Sequence, residues 1–163
     1  MTATYRYPGQ ALLGDYARAA FGLAITVAPL LFMDVASVMV WVFGGLSLLF
    51  LTFAGRTALR HSTTIELDAG GVAARGPLGA SLRWDEVDRV KLRYFSTRKD
   101  REKGWMQLAI HGRSRTIRID STLDGFREVV EASARSTRER GLAFDPPTLA
   151  NFKALGVLAA DTL

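Results

Sequence analysis

A long, almost uncharged apolar stretch runs from Ala19 to Gly55 and constrains this chain more than any other feature. Asp34 is the only charged residue within it. As a single helix the stretch would be about 55 Å long, nearly twice the ~30 Å hydrocarbon core of a bilayer. The sequence therefore predicts a transmembrane hairpin of two helices, Ala19–Met33 and Val35–Gly55, with residues 11–18 extending the first through the headgroup layer.

Two alternatives accompany this interpretation. Asp34 is either an exposed turn residue between the spans or a functional carboxylate within the membrane, since ionisable groups in bilayers often mark ion pathways. Its position between the two apolar halves favours the turn. The whole segment is alternatively a buried helical hairpin of a soluble protein, but its length and apolarity favour the membrane.

Charges flanking the spans predict their orientation. Arg6 and Arg18 precede the first span, and Arg56 and Arg60 follow the second, whereas the connection carries only Asp34. By the positive-inside rule, both termini are expected in the cytoplasm of a two-span protein of the inner membrane.

The rest of the chain has the composition of one small basic domain. Of 163 residues, the net charge of +5 falls entirely within residues 56–163, because two Arg and two Asp cancel before them. The chain has no Cys, which excludes disulfides, thiolate metal ligands and thiol nucleophiles. The predicted organisation is an interfacial segment (1–18), the hairpin (19–60), a domain (61–142) and a Pro-broken tail (143–163).

Short alternating segments separated by glycine turns predict an antiparallel sheet within that domain. The predicted strands are Thr63–Asp68, Val72–Arg75, Ala80–Trp84, Val87–Phe95, Trp105–His111 and Arg115–Asp120. Ser121–Asp124 resembles a capping box and predicts the start of an amphipathic helix that stops near Gly141. The expected fold is α+β: a bent sheet or barrel of six to seven strands, capped by a C-terminal helix.

Three motifs resemble those of the bacterial PH-like domain proteins, many of which place this domain beside a transmembrane hairpin. They are the opening at Ile65–Val72, Leu-x-Trp-Asp-Glu-Val at Leu82–Val87, and Leu-Asp-Gly-Phe at Leu123–Phe126. The resemblance implies a binding or scaffolding module without catalytic residues. In eukaryotic PH domains, basic residues around the first two strands and their loop grip phosphoinositides, whereas the turn Asp68–Gly71 has no Lys or Arg.

A cluster of cations is the most pronounced charge feature of the domain. It consists of Arg89, Lys91, Arg93, Arg98, Lys99, Arg101 and Lys103. Such a cluster suits anionic headgroups or an acidic partner protein. The alternative is a solvated strand face and loop, because Asp100 and Glu102 interleave with the loop cations.

Other site classes have little support in the sequence. His61 and His111 are far apart and lack a carboxylate-rich motif, so no metal site is predicted. The serines lie in no nucleophile-elbow context and no phosphate-binding loop precedes a helix, so no catalytic residue and no cofactor is predicted. Nucleic acid is not expected as a partner, since acidic residues interrupt the cations and no binding motif accompanies them.

The tail beyond Pro146-Pro147 carries an apolar helical stripe of Leu149, Phe152, Leu155 and Leu158. This segment is too short to span a bilayer. It is predicted to dock on its own domain, on another protein or along the membrane surface.

These features lead to two functional hypotheses. The first is a non-enzymatic scaffold that helps assemble an inner-membrane protein complex through its cytoplasmic domain, by binding another membrane protein or by self-association. The second is an anionic-lipid sensor tethered by the hairpin. An enzyme or a transporter comes third, because a two-helix hairpin offers no pore unless it oligomerises.

Overall fold

The computed structural model describes residues 2–96 and 104–158. The helices are α1 (Gly9–Phe32), α2 (Ser37–His61), α3 (Phe126–Glu139) and α4 (Pro146–Ala154). The strands are β1 (Ala3–Arg6), β2 (Thr64–Leu67), β3 (Gly71–Arg75), β4 (Ala80–Arg83), β5 (Val87–Phe95), β6 (Trp105–Gly112) and β7 (Thr116–Asp120). The chain divides into a hairpin unit, Tyr7–Thr63, and a sheet unit made of Met1–Arg6 and Thr64–Leu163.

The hairpin unit consists of α1 and α2 and a short connection between them. Asp34 is exposed and lies in that connection, as the turn interpretation predicts. Both helices extend further than the predicted spans, to Gly9 at one end and His61 at the other. The portions Leu12–Phe32 and Ser37–His61 are long and apolar enough to cross a membrane.

Close packing and a hydroxyl pair join the two helices. A Cβ added at Gly22 would overlap the ring of Phe50, so the absence of a side chain there permits the contact. Ser47 Oγ donates a hydrogen bond to Thr26 Oγ1 at 2.9 Å, and Thr26 Oγ1 donates to the Gly22 carbonyl at 2.9 Å. Small residues and interhelical hydroxyl bonds are the contacts that hold helices together in lipid.

Polar contacts gather at the open end of the hairpin unit. Asp15 lies 3.1 Å from Arg18 on its own helix and 3.9 Å from Arg60 on α2. The Tyr16 hydroxyl lies 3.4 Å from His61 Nδ1. The charged side chains of both helices thus meet where the chain enters and leaves the hairpin.

The first sheet has the strand order β1-β2-β3-β4, all antiparallel. Strand β1 was not predicted, because four residues at the start of the chain carry no distinctive pattern. It pairs with β2 from Ala3↔Leu67 to Arg6↔Thr64, although the entire hairpin lies between the two strands in the sequence. The N-terminal segment therefore belongs to the sheet unit, and the hairpin is inserted between two adjacent strands.

The second sheet has the order β5-β6-β7, also antiparallel. A 3-10 turn at Trp84–Glu86 redirects the chain between β4 and β5, and the described strands form two sheets that do not close into a barrel. The barrel form of the prediction is thus wrong. The six predicted strand segments are all present, with ends that differ by no more than one residue.

Helix α3 packs its apolar side into the core. Phe126, Val129, Val130 and Ala134 are buried, together with Leu92, Leu108, Ile110 and Ile119 of the second sheet. The helix begins at Phe126 and not at the predicted capping box, because Gly125 adopts a left-handed conformation (φ 76°) directly before it. A Cβ at Gly125 would also overlap the Tyr5 ring of β1, so glycine serves both the turn and the packing.

Helix α4 docks along β5. The Leu92 N–H donates to Thr148 Oγ1 at 3.1 Å, and Asn151 Nδ2 donates to the Leu92 carbonyl at 2.7 Å. Phe152 is fully buried and packs edge-on against Phe144, with ring centroids 4.9 Å apart. Asp145 accepts a bond from the Thr148 N–H at 2.9 Å and caps the helix, and this bonding lowers the pKa of the Asp145 carboxyl.

Replacing Phe152 with Ala should cost about 3–5 kcal/mol of the stability of the sheet unit, as for other buried Phe residues. Leu155→Ala serves as the control, since Leu155 is partly exposed, and should cost about 1 kcal/mol. Denaturant unfolding in detergent, followed by tryptophan fluorescence in a Trp41→Phe background, measures both. Equal losses for the two variants would contradict the docking of α4.

Candidate functional site

Strand β5 places cations on one side and core residues on the other. Val90 and Leu92 are buried, whereas Arg89 and Arg93 are exposed and Lys91 is partly exposed. Alternation along a strand produces this separation, because successive side chains point to opposite faces. The three predicted strand cations are therefore brought together on the outer face of the second sheet.

The register of the second sheet adds a further cation to that face. Lys91 pairs with Ala109 of β6, and Ala109 pairs with Arg118 of β7, so the three residues form one row across the sheet. Arg118 is exposed. Sequence reasoning missed it, because its proximity to Lys91 depends on pairing between strands. We call Arg89, Lys91, Arg93 and Arg118 the basic face.

The middle of the basic face is a shallow site between cations. Ala109 has only a methyl group, and it separates Lys91 from Arg118 by two strand spacings, or about 10 Å. The next row on one side is Arg89, His111 and Thr116. An anionic group placed over Ala109 would thus have cationic side chains on both sides.

Within the part of the chain that the structure describes, the cations of the basic face lie near two acids but form no ion pair with either. By contrast, Arg75, Arg83 and Arg127 pair with Glu66, Asp85 and Glu131. Asp120 ends the adjacent row, Arg93–Gln107–Asp120, and accepts a hydrogen bond from Gln107 Nε2 at 3.0 Å. Asp145, at the start of α4, is close enough for Lys91 and Arg93 to contribute to its lowered pKa, after its bonds from Thr148.

The cations of the basic face affect the pKa of His111. Its pKa is lowered, first by partial burial and then by Arg89, Lys91, Arg118 and Arg93, in that order. Its Nδ1 lies 3.0 Å from the Thr116 hydroxyl. Burial and the neighbouring like charges both disfavour the imidazolium form of His111.

An aromatic pair stands at one end of this sheet. Phe95 and Trp105 are cross-strand partners whose rings stack with centroids 4.7 Å apart and planes 22° apart. Both are more than one-third exposed, at 37% and 42%. An exposed aromatic pair beside cations is a combination that suits membrane interfaces and protein partners alike.

The other predicted site residues divide into two groups. The loop cations Arg98, Lys99, Arg101 and Lys103 lie outside the described residues. The tail residues lie on the sheet unit itself: Phe152 and Leu158 are buried, and Leu149 and Leu155 are partly exposed.

A second group of exposed cations lies at the β6–β7 turn. Arg113 and Arg115 line a cavity of about 660 Å³ together with Arg83, Asp85 and Glu86. Acidic side chains contribute to this lining, unlike the central row of the basic face. In the described segments, no group of three or more His, Asp or Glu side chains is placed to hold a metal ion.

Comparisons with known proteins give no match to this chain, whether among protein-family models, curated proteins or solved structures.

The pKa of His111 should lie below the ordinary value of about 6.5 and should rise when a neighbouring cation is removed. Lys91→Gln and Arg118→Gln remove like charges, whereas Arg113→Gln is the control. NMR titration of ¹³C-labelled histidine in the full-length protein measures this, because the chain has only two histidines. An unshifted pKa, or one that ignores both face substitutions, would contradict the geometry.

The lowered pKa also sets the sign of a pH effect on folding. Between the folded and unfolded pKa values of His111, the unfolded state binds more protons. Stability is therefore fully present above about pH 6.5 and falls as the pH drops below that value. His111→Gln should flatten this part of the pH profile of unfolding.

Proposed function

We propose that this chain is a non-enzymatic, membrane-anchored binding protein whose PH-like domain helps assemble or stabilise an inner-membrane protein complex. The observation that carries the proposal is the basic face: four cations without ion partners among the described residues, on the outside of a sheet attached to an apolar hairpin. A surface of this kind attracts an acidic partner and orients it by charge complementarity.

Exposed apolar surface supports a membrane location for the hairpin unit. At about 1.5 Å per residue, Leu12–Phe32 and Ser37–His61 are roughly 32 and 37 Å long, enough to cross a ~30 Å hydrocarbon core. Large apolar side chains such as Phe21, Phe32 and Trp41 are mostly exposed within the unit. Lipid is the environment in which such a surface is stable.

Strand order supports the PH-like assignment of the sheet unit. Seven antiparallel strands are followed along the chain by a helix, in agreement with the six to seven strands and closing helix that the motif resemblance implies, although they form two sheets. With β1 counted as the first strand, the connection between the first two strands is the hairpin itself. The loop that grips phosphoinositides in eukaryotic PH domains is thus replaced by the anchor, and we do not propose that mode of binding.

Pairing of β1 with β2 supports a common side for the N-terminus and the sheet unit. If α1 and α2 both cross the bilayer, the chain leaves and re-enters the sheet on one side. Arg6, Arg18, Arg56 and Arg60 lie at or near the open end of the hairpin unit, whereas the connection between the helices has only Asp34. By the positive-inside rule, the open end is on the cytoplasmic side of a bacterial cell.

An acidic protein segment is the partner class that the basic face favours. The row Lys91–Ala109–Arg118 provides cations about 10 Å apart with a small residue between them. This spacing suits an extended segment with carboxylates along it, held over the strands by several charges.

Anionic lipid is the second candidate, favoured by the exposed Phe95–Trp105 stack at the end of the same sheet. Each well-placed cation near an anionic leaflet contributes about 1 kcal/mol. The acidic protein and the anionic lipid would both bind the basic face. They differ in the molecule that is recovered with the purified protein.

Affinity purification of the tagged full-length protein from native membranes in mild detergent tests the proposal. Lys91→Glu/Arg118→Glu reverses two charges of the basic face, and Arg113→Glu/Arg115→Glu reverses two charges elsewhere on the sheet unit. We expect a stoichiometric membrane-protein partner with the wild type and the control, and at least a 100-fold weaker affinity for the face variant, or about 2.7 kcal/mol.

Two outcomes of the purification would contradict the proposed function. Recovery of the partner with the face variant at wild-type yield would exclude the basic face as the binding surface. Recovery of the wild type alone, with anionic lipid that the face variant loses, would favour the lipid-sensing candidate.

A further inference from the structure

The turn between β3 and β4 presents an apolar tip. Its residues, Gly76-Pro77-Leu78-Gly79, are uncharged, and the Gly79 N–H donates to the Gly76 carbonyl at 3.0 Å, which closes the turn. Leu78 is 79% exposed, compared with 42% for Trp105, the next most exposed large hydrophobic residue described in the sheet unit. A single exposed leucine is ordinary, so its significance depends on its position in the sheet.

The strand register places this turn at the end of the sheet where the hairpin connections lie. Thr64 pairs with Arg6 on one side and with Arg75 on the other, so the three residues form one row. Arg6 is the last residue before the hairpin unit, and Thr64 is the first after it. The turn begins at Gly76, directly after Arg75, and projects from the same sheet end.

Strand geometry gives the scale of this arrangement. Adjacent strands lie about 4.8 Å apart, so the turn starts about 5 Å from the first residue of β2 and about 10 Å from the last residue of β1. The polar layer on each side of a bilayer is only about 5–8 Å deep. A tip that projects two or three residues beyond the row, at up to ~3.4 Å each, is long enough to reach the apolar boundary.

We propose that the β3–β4 turn inserts Leu78 into the lipid interface, so that the sheet unit has its own membrane contact beside the two hairpin connections. This inference rests on the proposed membrane location of the hairpin. The occupant is the bilayer itself, because the register ties the turn to the points where the chain enters and leaves the spans. A third attachment restricts tilting of the sheet unit and thereby holds the basic face in a fixed orientation to the membrane.

The test uses depth-sensitive labels on the full-length protein, which has no cysteine of its own. Leu78→Cys, Asp68→Cys and Trp41→Cys are each labelled with an environment-sensitive fluorophore, and the protein is reconstituted in vesicles. Asp68 is exposed at the β2–β3 turn, at the opposite end of the same strands, and Trp41 is exposed within α2. Lipids with a nitroxide near the top of the acyl chain act as quenchers.

We expect the label at position 78 to shift its emission to the blue and to lose most of its intensity to the nitroxide lipid. The label at position 68 should keep the emission wavelength and intensity of a label in water, with or without the nitroxide lipid. The label at position 41 reports on the hairpin alone. If that label shows the blue-shifted emission of an apolar environment while the label at position 78 emits as in water and is not quenched, the insertion of Leu78 is wrong and the membrane location of the hairpin still holds. An aqueous label at 41 would instead overturn the membrane location, and this inference with it.

Discussion

Pairing between β1 and β2 is the interaction on which the rest of the structure depends. Four residues at the start of the chain find their partners directly after the hairpin, from Ala3↔Leu67 to Arg6↔Thr64. The two residues that flank the hairpin unit in sequence, Arg6 and Thr64, are thereby about one strand spacing, 4.8 Å, apart. The anchor is therefore part of the sheet's connectivity, and the sheet unit is attached to it by two chain connections that share one row.

Strand β5 contributes to the core, to the basic face and to the binding of helix α4. Its inner side supplies Val90 and Leu92 to the core, and its outer side supplies Arg89, Lys91 and Arg93 to the basic face. Helix α4 bonds to the N–H and carbonyl of Leu92, where an uncovered strand would invite pairing with another chain. Clustered like charges repel one another, and the folded sheet tolerates them because they are exposed to water.

Much of the fold follows from local sequence signals. The length of the apolar stretch and the placement of Asp34 predict the hairpin. Glycine turns predict the first three strands after it, and alternation of apolar and polar residues predicts the other three. The N-terminal strand could not be predicted, because Ala3–Arg6 has no local pattern and is stabilised by partners some sixty residues away. Helix α3 does not begin at the predicted capping box, Ser121–Asp124, because Gly125 adopts a left-handed conformation directly before Phe126. The close approach of Gly125 to Tyr5 of β1 is a tertiary contact that the local sequence does not show.

The candidate site was predictable only in part, for a similar reason. Alternation along β5 groups Arg89, Lys91 and Arg93 from sequence alone. Arg118 joins them only through the register Lys91↔Ala109↔Arg118, which no local pattern encodes. The tail shows the same limit, because its apolar stripe predicts docking but not the bonds from Thr148 and Asn151 that direct it to β5.

Cross-linking of β1 to β2 in native membranes tests the central claim most directly. Thr4→Cys/Glu66→Cys joins a registered pair whose Cα atoms are expected about 4.5–5.5 Å apart, within disulfide range. Thr4→Cys/Leu67→Cys is shifted by one residue and points its second thiol to the opposite face. Rapid oxidation of the registered pair alone would support the inserted hairpin, whereas no cross-link, or equal cross-linking of both pairs, would contradict it.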